Sequence, residues 1–121
     1  MTLQDRPTAP ELLEAVREYL ERDVMAADEL SGRVRFHARV AVNVLGIVER
    51  ELRLGPGLDA AERERLAALL GHDGEVDDLL AELASRIRDG SLDDRHDEVV
   101  ASVRDSVRAK LEVANPRHLE T

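Results

Sequence analysis

GRVRFHARVAVNVLGIVERELRLG, residues 32–55, carries the strongest periodic signal in the chain. At 100° per residue, Val34, Phe36, Ala38, Val40, Ala41, Val42, Val44, Leu45, Ile47, Val48 and Leu52 spread over about two thirds of a helix circumference. A surface helix carries a narrower apolar stripe. The pattern therefore predicts a central helix over 33–54, packed on several sides by other helices. Gly55-Pro56-Gly57 is expected to end it, because glycine and proline together break helical hydrogen bonding.

The flanking sequence repeats the helical signal with interruptions. Thr8 and Glu11 have capping-box spacing, with Pro10 in the first turn, where a missing N–H costs nothing. Leu12, Leu13, Val16, Tyr19, Leu20 and Val24 follow at helical spacing and predict a helix over about 9–26. Ser31-Gly32 separates it from the central segment. Asp59 and Glu62 repeat the capping spacing ahead of Leu66, Leu69 and Leu70, which predicts a shorter third helix. Asp73, in the turn Gly71-His72-Asp73-Gly74, is placed to cap the next one. Val76, Leu79, Leu80, Leu83 and Ile87 form a fourth helix ended by Gly90. Val99, Val100, Val103, Val107 and Leu111 form a fifth, ended by Asn115-Pro116. Its β-branched valines raise the question of a strand, but their 3-4 spacing selects a helix. The expected fold is all-α: a bundle of four to five mostly antiparallel helices around 33–54. It is read as a single helical domain over 1–121, with 1–7 and 117–121 as flexible ends.

Composition narrows the function classes. With a net charge of −9, the chain lacks the cationic surplus that phosphate backbones require, and no nucleic-acid partner is expected. The same sign disfavours anionic lipid surfaces. The longest uncharged run, Val40–Val48, is nine residues, against the roughly 20 that span a bilayer, so no membrane partner is expected. There is no cysteine, which removes disulfides, thiolate chemistry and thiolate zinc sites. The start MTLQDRPTAPELL has no signal-peptide core, and a cytoplasmic location is expected. No phosphate-cradling glycine loop, nucleophile elbow or paired-histidine metal spacing occurs. Asp93–Glu98 lacks the alternating ligands of a calcium loop and reads as acidic capping of a helix start. No metal, cofactor or catalytic residue is expected. A helix-turn-helix across Gly71–Gly74 would present Asp77, Asp78 and Glu82 to phosphates, which argues against it.

One constellation remains. Arg35, Arg39, Asn43, Gly46, Arg50 and Arg53 occupy the arc that the apolar residues leave open. Five arginines against Glu49 and Glu51 give residues 33–53 a local charge of +3, so the rest of the chain carries −12. One reading is internal pairing with acidic faces, especially Glu14, Glu18 and Glu21. The other is a ligand- or partner-binding site. There Arg35 and Arg39 offer planar donors to a carboxylate or phosphate, and Asn43 orients it. His37 lies in the apolar arc, where a hydrogen-bonded core histidine is the plain reading and a site residue the sharper one. Asn115-Pro116-Arg117-His118 reads as a helix stop, or as a tail that docks.

Three segments carry a family resemblance: DRPTAPELLEAVREYLERDV, GRVRFHARVAVNVLGIVEREL and KLEVANPRHL. Together they resemble a family of small uncharacterised bacterial all-helical proteins, a domain of unknown function, over about residues 5–118. The resemblance is weakest through the acidic middle, residues 56–98. The recurring elements are Asp5, Arg6 and Pro7; Phe36, His37, Arg39, Val40 and Asn43; and Asn115 and Pro116. Members of that family occur beside or fused to aminoglycoside-phosphotransferase-like proteins, with acyl-CoA dehydrogenases nearby. The resemblance therefore implies a helper or regulatory subunit of a kinase-like enzyme. Two functions follow as expectations. One is a non-catalytic accessory protein that binds a phosphotransferase-like partner. The other is a bundle that binds an acyl-CoA-like or phosphorylated small molecule through Arg35, Arg39, Asn43 and His37. Self-association as a homo-oligomer through an exposed apolar stripe is a further reading.

Overall fold

A computed structural model describes residues 7–120. Helix α1 spans Ala9–Tyr19 and continues as a π-helical turn, Leu20–Val24. Helix α2 spans Gly32–Leu70, α3 Val76–Arg88 and α4 His96–Ala114. Short 3-10 segments lie at Asp93–Arg95 and Pro116–Glu120, the second taking in residues expected as a flexible end. No strand occurs among the described residues, and the all-α expectation holds. The N-terminal lead-in 1–6 and Thr121 lie outside the described residues, and with them Asp5 and Arg6.

Local chemistry explains most boundaries. Thr8 accepts the Glu11 N–H and Glu11 accepts the Thr8 N–H, the reciprocal capping box that opens α1. The Met25 N–H reaches back five residues to the Leu20 carbonyl at 2.8 Å, which closes the π turn. The Ser31 hydroxyl accepts the Val34 N–H at the start of α2. Helices α2 and α3 are followed by Gly71 and Gly90, at φ +87° and +80°, backbone settings that only glycine adopts without strain.

Two expectations about α2 are corrected. Gly55-Pro56-Gly57 does not end a helix: Pro56 lies inside α2, which joins the expected second and third helices into one of 39 residues. Proline has no N–H to give the Leu52 carbonyl, and the helix continues through it. Gly55 and Gly57 both stay out of the positive-φ region that would turn the chain. Asp59 consequently sits within a helix instead of capping one. The capping role expected of Asp73 also fails, since Glu75 is the residue before α3 and makes no side-chain cap.

The chain divides into two units, Met1–Leu54 and Gly55–Thr121. In the first, α1 runs antiparallel to the N-terminal part of α2: Arg17 meets Glu49 while Glu14 meets Arg53. The expected sheathing of 33–54 is corrected here. Ala38 and Glu49 are buried in that stretch, whereas Val34, Phe36, Val40, Val44, Leu52 and Leu54 are exposed. Helix α1 is the helix that the first unit lays along this segment, so it can cover one side only. In the second unit, Leu66, Leu69 and Leu70 pack with Leu79 and Leu83 of α3, Leu92 of the turn and Val99 of α4. Leu66 and Leu79 are almost wholly out of solvent and form the centre of that core.

Candidate functional site

The arginine arc divides between structural and solvent-facing roles. Arg35 is committed to the backbone, donating to the Met25 carbonyl and, at 3.0 Å, to the Ala27 carbonyl. It thereby ties the connection after the π turn onto α2. Arg53 reaches Glu14 on α1 at 3.1 Å, as internal pairing requires. Arg39 and Asn43 are exposed and form no ion pair with another described residue. His37, expected in the apolar arc among covered side chains, is exposed as well. Its ring meets Phe36 edge-on at 5.6 Å, an arrangement the ring quadrupoles favour.

The strongest ionic contact runs the other way, from α1 into α2. Arg17 donates through Nε to Glu49 at 2.6 Å and reaches Glu21 through Nη1 at 2.7 Å. Glu49 is buried, and the Glu49 and Glu21 bonds hold the Arg17 guanidinium above its ordinary pKa. A signal for Glu49 exists in the sequence. It falls on the face of Ala38, Val42 and Leu45, at steps of four, three and four, so a carboxylate there must be buried and needs a cation.

The second unit carries a polar seam between α2 and α4 that periodicity did not reveal. Glu62 is buried and accepts the Ser106 hydroxyl. Ser102 is buried, with no hydrogen-bond partner for its hydroxyl among the described residues. Arg65 stands 3.9 Å from Asp105. A hollow of about 440 Å³ opens elsewhere in this unit, lined by Asp59, Ala60, Arg63, Glu75, Val76 and Asp77. None of Arg35, His37, Arg39 and Asn43 borders it. Arg63 is held by Asp73 at 2.9 Å, a bond that keeps the Asp73 carboxyl below its ordinary range. Among the described residues no set of three histidines or carboxylates is disposed to hold a metal. No described helix is long and apolar enough to cross a membrane.

What distinguishes the first unit is its apolar exposure. Leu12, Val16 and Tyr19 follow one another along α1 at helical spacing, and Phe36, Val40 and Val44 do so along α2. Phe36 is 60% exposed, Tyr19 56% and Val44 51%. Exposed apolar runs of this kind, with Arg39 and Asn43 beside the α2 run, have the make-up of a protein-docking surface.

The sequence profile of a domain of unknown function, DUF6285, matches residues 28–118. The chain belongs to the DUF6285 family. The match takes in α2, α3, α4 and the acidic middle, and with them Phe36, His37, Arg39, Val40, Asn43, Asn115 and Pro116. It begins after α1 and the π turn, so the opening Asp5-Arg6-Pro7 falls outside it. Neither a curated protein nor a solved structure matches the chain.

Proposed function

We propose that this DUF6285 protein is a non-catalytic accessory protein of the bacterial cytoplasm that docks on a partner enzyme through the helical hairpin of residues 9–54. One observation carries the reading: large apolar side chains line both helices of that hairpin and stay in water. Burying a valine or leucine against a partner is worth about 1.5–3 kcal/mol relative to leaving it exposed, so Val40 and Val44 favour association. Arg39 and Asn43 lie beside them as rim groups that select the partner's charge. The resemblance noted from the sequence points to a phosphotransferase-like enzyme as that partner.

Co-purification from native extract tests this. The tagged full-length chain is expected to retain a phosphotransferase-like enzyme under mild salt, and Val40→Asp to lose it. Val40 is exposed, so the substitution should leave the helical circular dichroism unchanged. Recovery of the chain with no such enzyme, from extract that contains one, would sink the reading.

A further inference from the structure

We propose that α4 carries a second docking surface, which takes an acidic amphipathic helix of another protein. That helix lies along Val100, Val103, Val107 and Leu111, between Lys110 on one side and Arg104 and Arg108 on the other. The surface uses no residue of the 9–54 hairpin and stands independently of the docking reading.

The strip follows from helix geometry. Val99 and Ser102 are buried and mark the side of α4 turned to its own unit. At 100° per residue, Val100, Val103, Val107 and Leu111 share an arc of about 80° on another side. Val103 is 41% and Val107 51% exposed, while Val100 and Leu111 are half-buried. Lys110 stands about 20° beyond one edge of the arc, and Arg104 and Arg108 about 20° and 60° beyond the other. All three cations are exposed, and none forms an ion pair with another described residue. Asp105 and Glu112 fall at least about 100° from the arc, and Asp105 faces Arg65 of α2.

Charge then selects the occupant. Residues 100–111 hold three cations against Asp105, a balance of +2, which leaves −11 on the rest of the chain. The strip is thus a locally cationic, partly apolar ridge on an acidic protein. A straight ridge of this kind fits the groove between side chains of another helix. Unpaired cations on both of its edges call for carboxylates on both flanks of that helix. An anionic lipid surface answers the same charges less well. It would confront the remaining −11 as well, whereas one helix meets the strip alone. The strip also has no aromatic side chain to anchor in a headgroup layer, since Tyr19 and Phe36 lie elsewhere.

Fluorescence anisotropy of a labelled synthetic peptide mixed with the full chain tests this. The peptide runs about five helical turns, with leucines at 3-4 spacing and glutamates on both flanks of the leucine stripe. Binding is expected, and it should weaken as salt rises. Val107→Asp should weaken it at least about tenfold, the equivalent of one valine kept from burial. Arg104→Glu combined with Arg108→Glu should weaken it by a similar factor and gain affinity for a peptide whose glutamates are lysines. These positions are exposed, so the helical circular dichroism should hold in each variant. Val40→Asp, in the hairpin, should leave peptide binding unchanged. Binding that ignores the α4 substitutions, or that only Val40→Asp abolishes, moves the site off α4 and overturns the proposal. Equal affinity of the natural chain for the glutamate and lysine peptides overturns it too. So does a chain that ignores the peptide yet binds phosphatidylglycerol vesicles through Val107. Peptide held at α4, from a chain that retains no enzyme, supports this site and removes the docking reading. Enzyme retained by a chain that binds no peptide does the reverse.

Discussion

Arg17 and His72 show what single side chains contribute. Glu49 is buried, and Arg17 supplies its cation. Removing the arginine leaves a carboxylate in a water-poor seam, whereas removing both charges leaves apolar contact, which such a site tolerates well. Arg17→Ala is expected to destabilise the first unit by about 2–3 kcal/mol, below the fully buried case because the Arg17 side chain is 28% exposed. The double variant with Glu49→Leu should recover most of that loss. Tyr19, the single tyrosine, lies at the end of α1 and reports the transition in urea by its fluorescence. Equal destabilisation of the single and double variants would contradict the account. His72 acts through pH. Its ring contacts the Asp73 carbonyl at 3.0 Å and the Glu82 carboxylate at 2.7 Å, and these raise its pKa above the ordinary 6.5. The folded state therefore holds the proton more tightly than the unfolded state. That contribution is complete below pH 6.5 and fades as pH rises through the higher folded value. The gap in melting temperature between wild type and His72→Gln should shrink on going from about pH 5 to pH 8. The gap stays small throughout, because the group is in water; a gap that widens with pH would reverse the assignment.

Helix boundaries turn on whether a glycine is forced to positive φ. Gly71 and Gly90 are, and helices end beside them; Gly57 is not, and α2 runs through it. A methyl added at Gly57 meets nothing within 4 Å, so Gly57→Ala is expected to stabilise by about 0.5–1 kcal/mol. Gly71→Ala, at φ +87°, should instead cost about 1–2 kcal/mol. Thermal melts of the two variants should therefore shift in opposite directions, and a shared direction would refute the boundary argument. The same distinction explains what was legible in advance. Capping chemistry at Thr8–Glu11 and the 3-4 spacing of Val76–Ile87 are local, so the start of α1 and the course of α3 could be read from residues alone. Gly55-Pro56-Gly57 carries the composition of a stop, but backbone angle is not written in composition. The arginine arc was legible as a face, because 100° steps place it there. That Arg35 bonds carbonyls at 25 and 27 was not, because the π turn that presents them leaves no periodic trace.

The whole chain distributes its apolar contacts unevenly. Periodicity measures how much of a helix is apolar, not how many neighbours cover it, and this is why residues 33–54 promised a sheathed centre that the structure does not provide. The cluster around Leu66 draws on α2, α3, the 90s turn and α4, all from the second unit. The first unit has two helices and, among its described residues, Ala38 as its buried apolar side chain. Local opening free energy follows buried apolar contact. Backbone amides of α3 and α4 should therefore exchange with solvent deuterium far more slowly than those of 9–54 in a dilute sample. Leu66→Ala removes side-chain volume from a site with no solvent access, at a cost of about 2–5 kcal/mol. It should speed exchange in α3 and α4 together, because one core serves both. Uniform protection along the chain in the dilute sample would mean that the hairpin already has its cover within one molecule, and the case for an outside partner would fail with it.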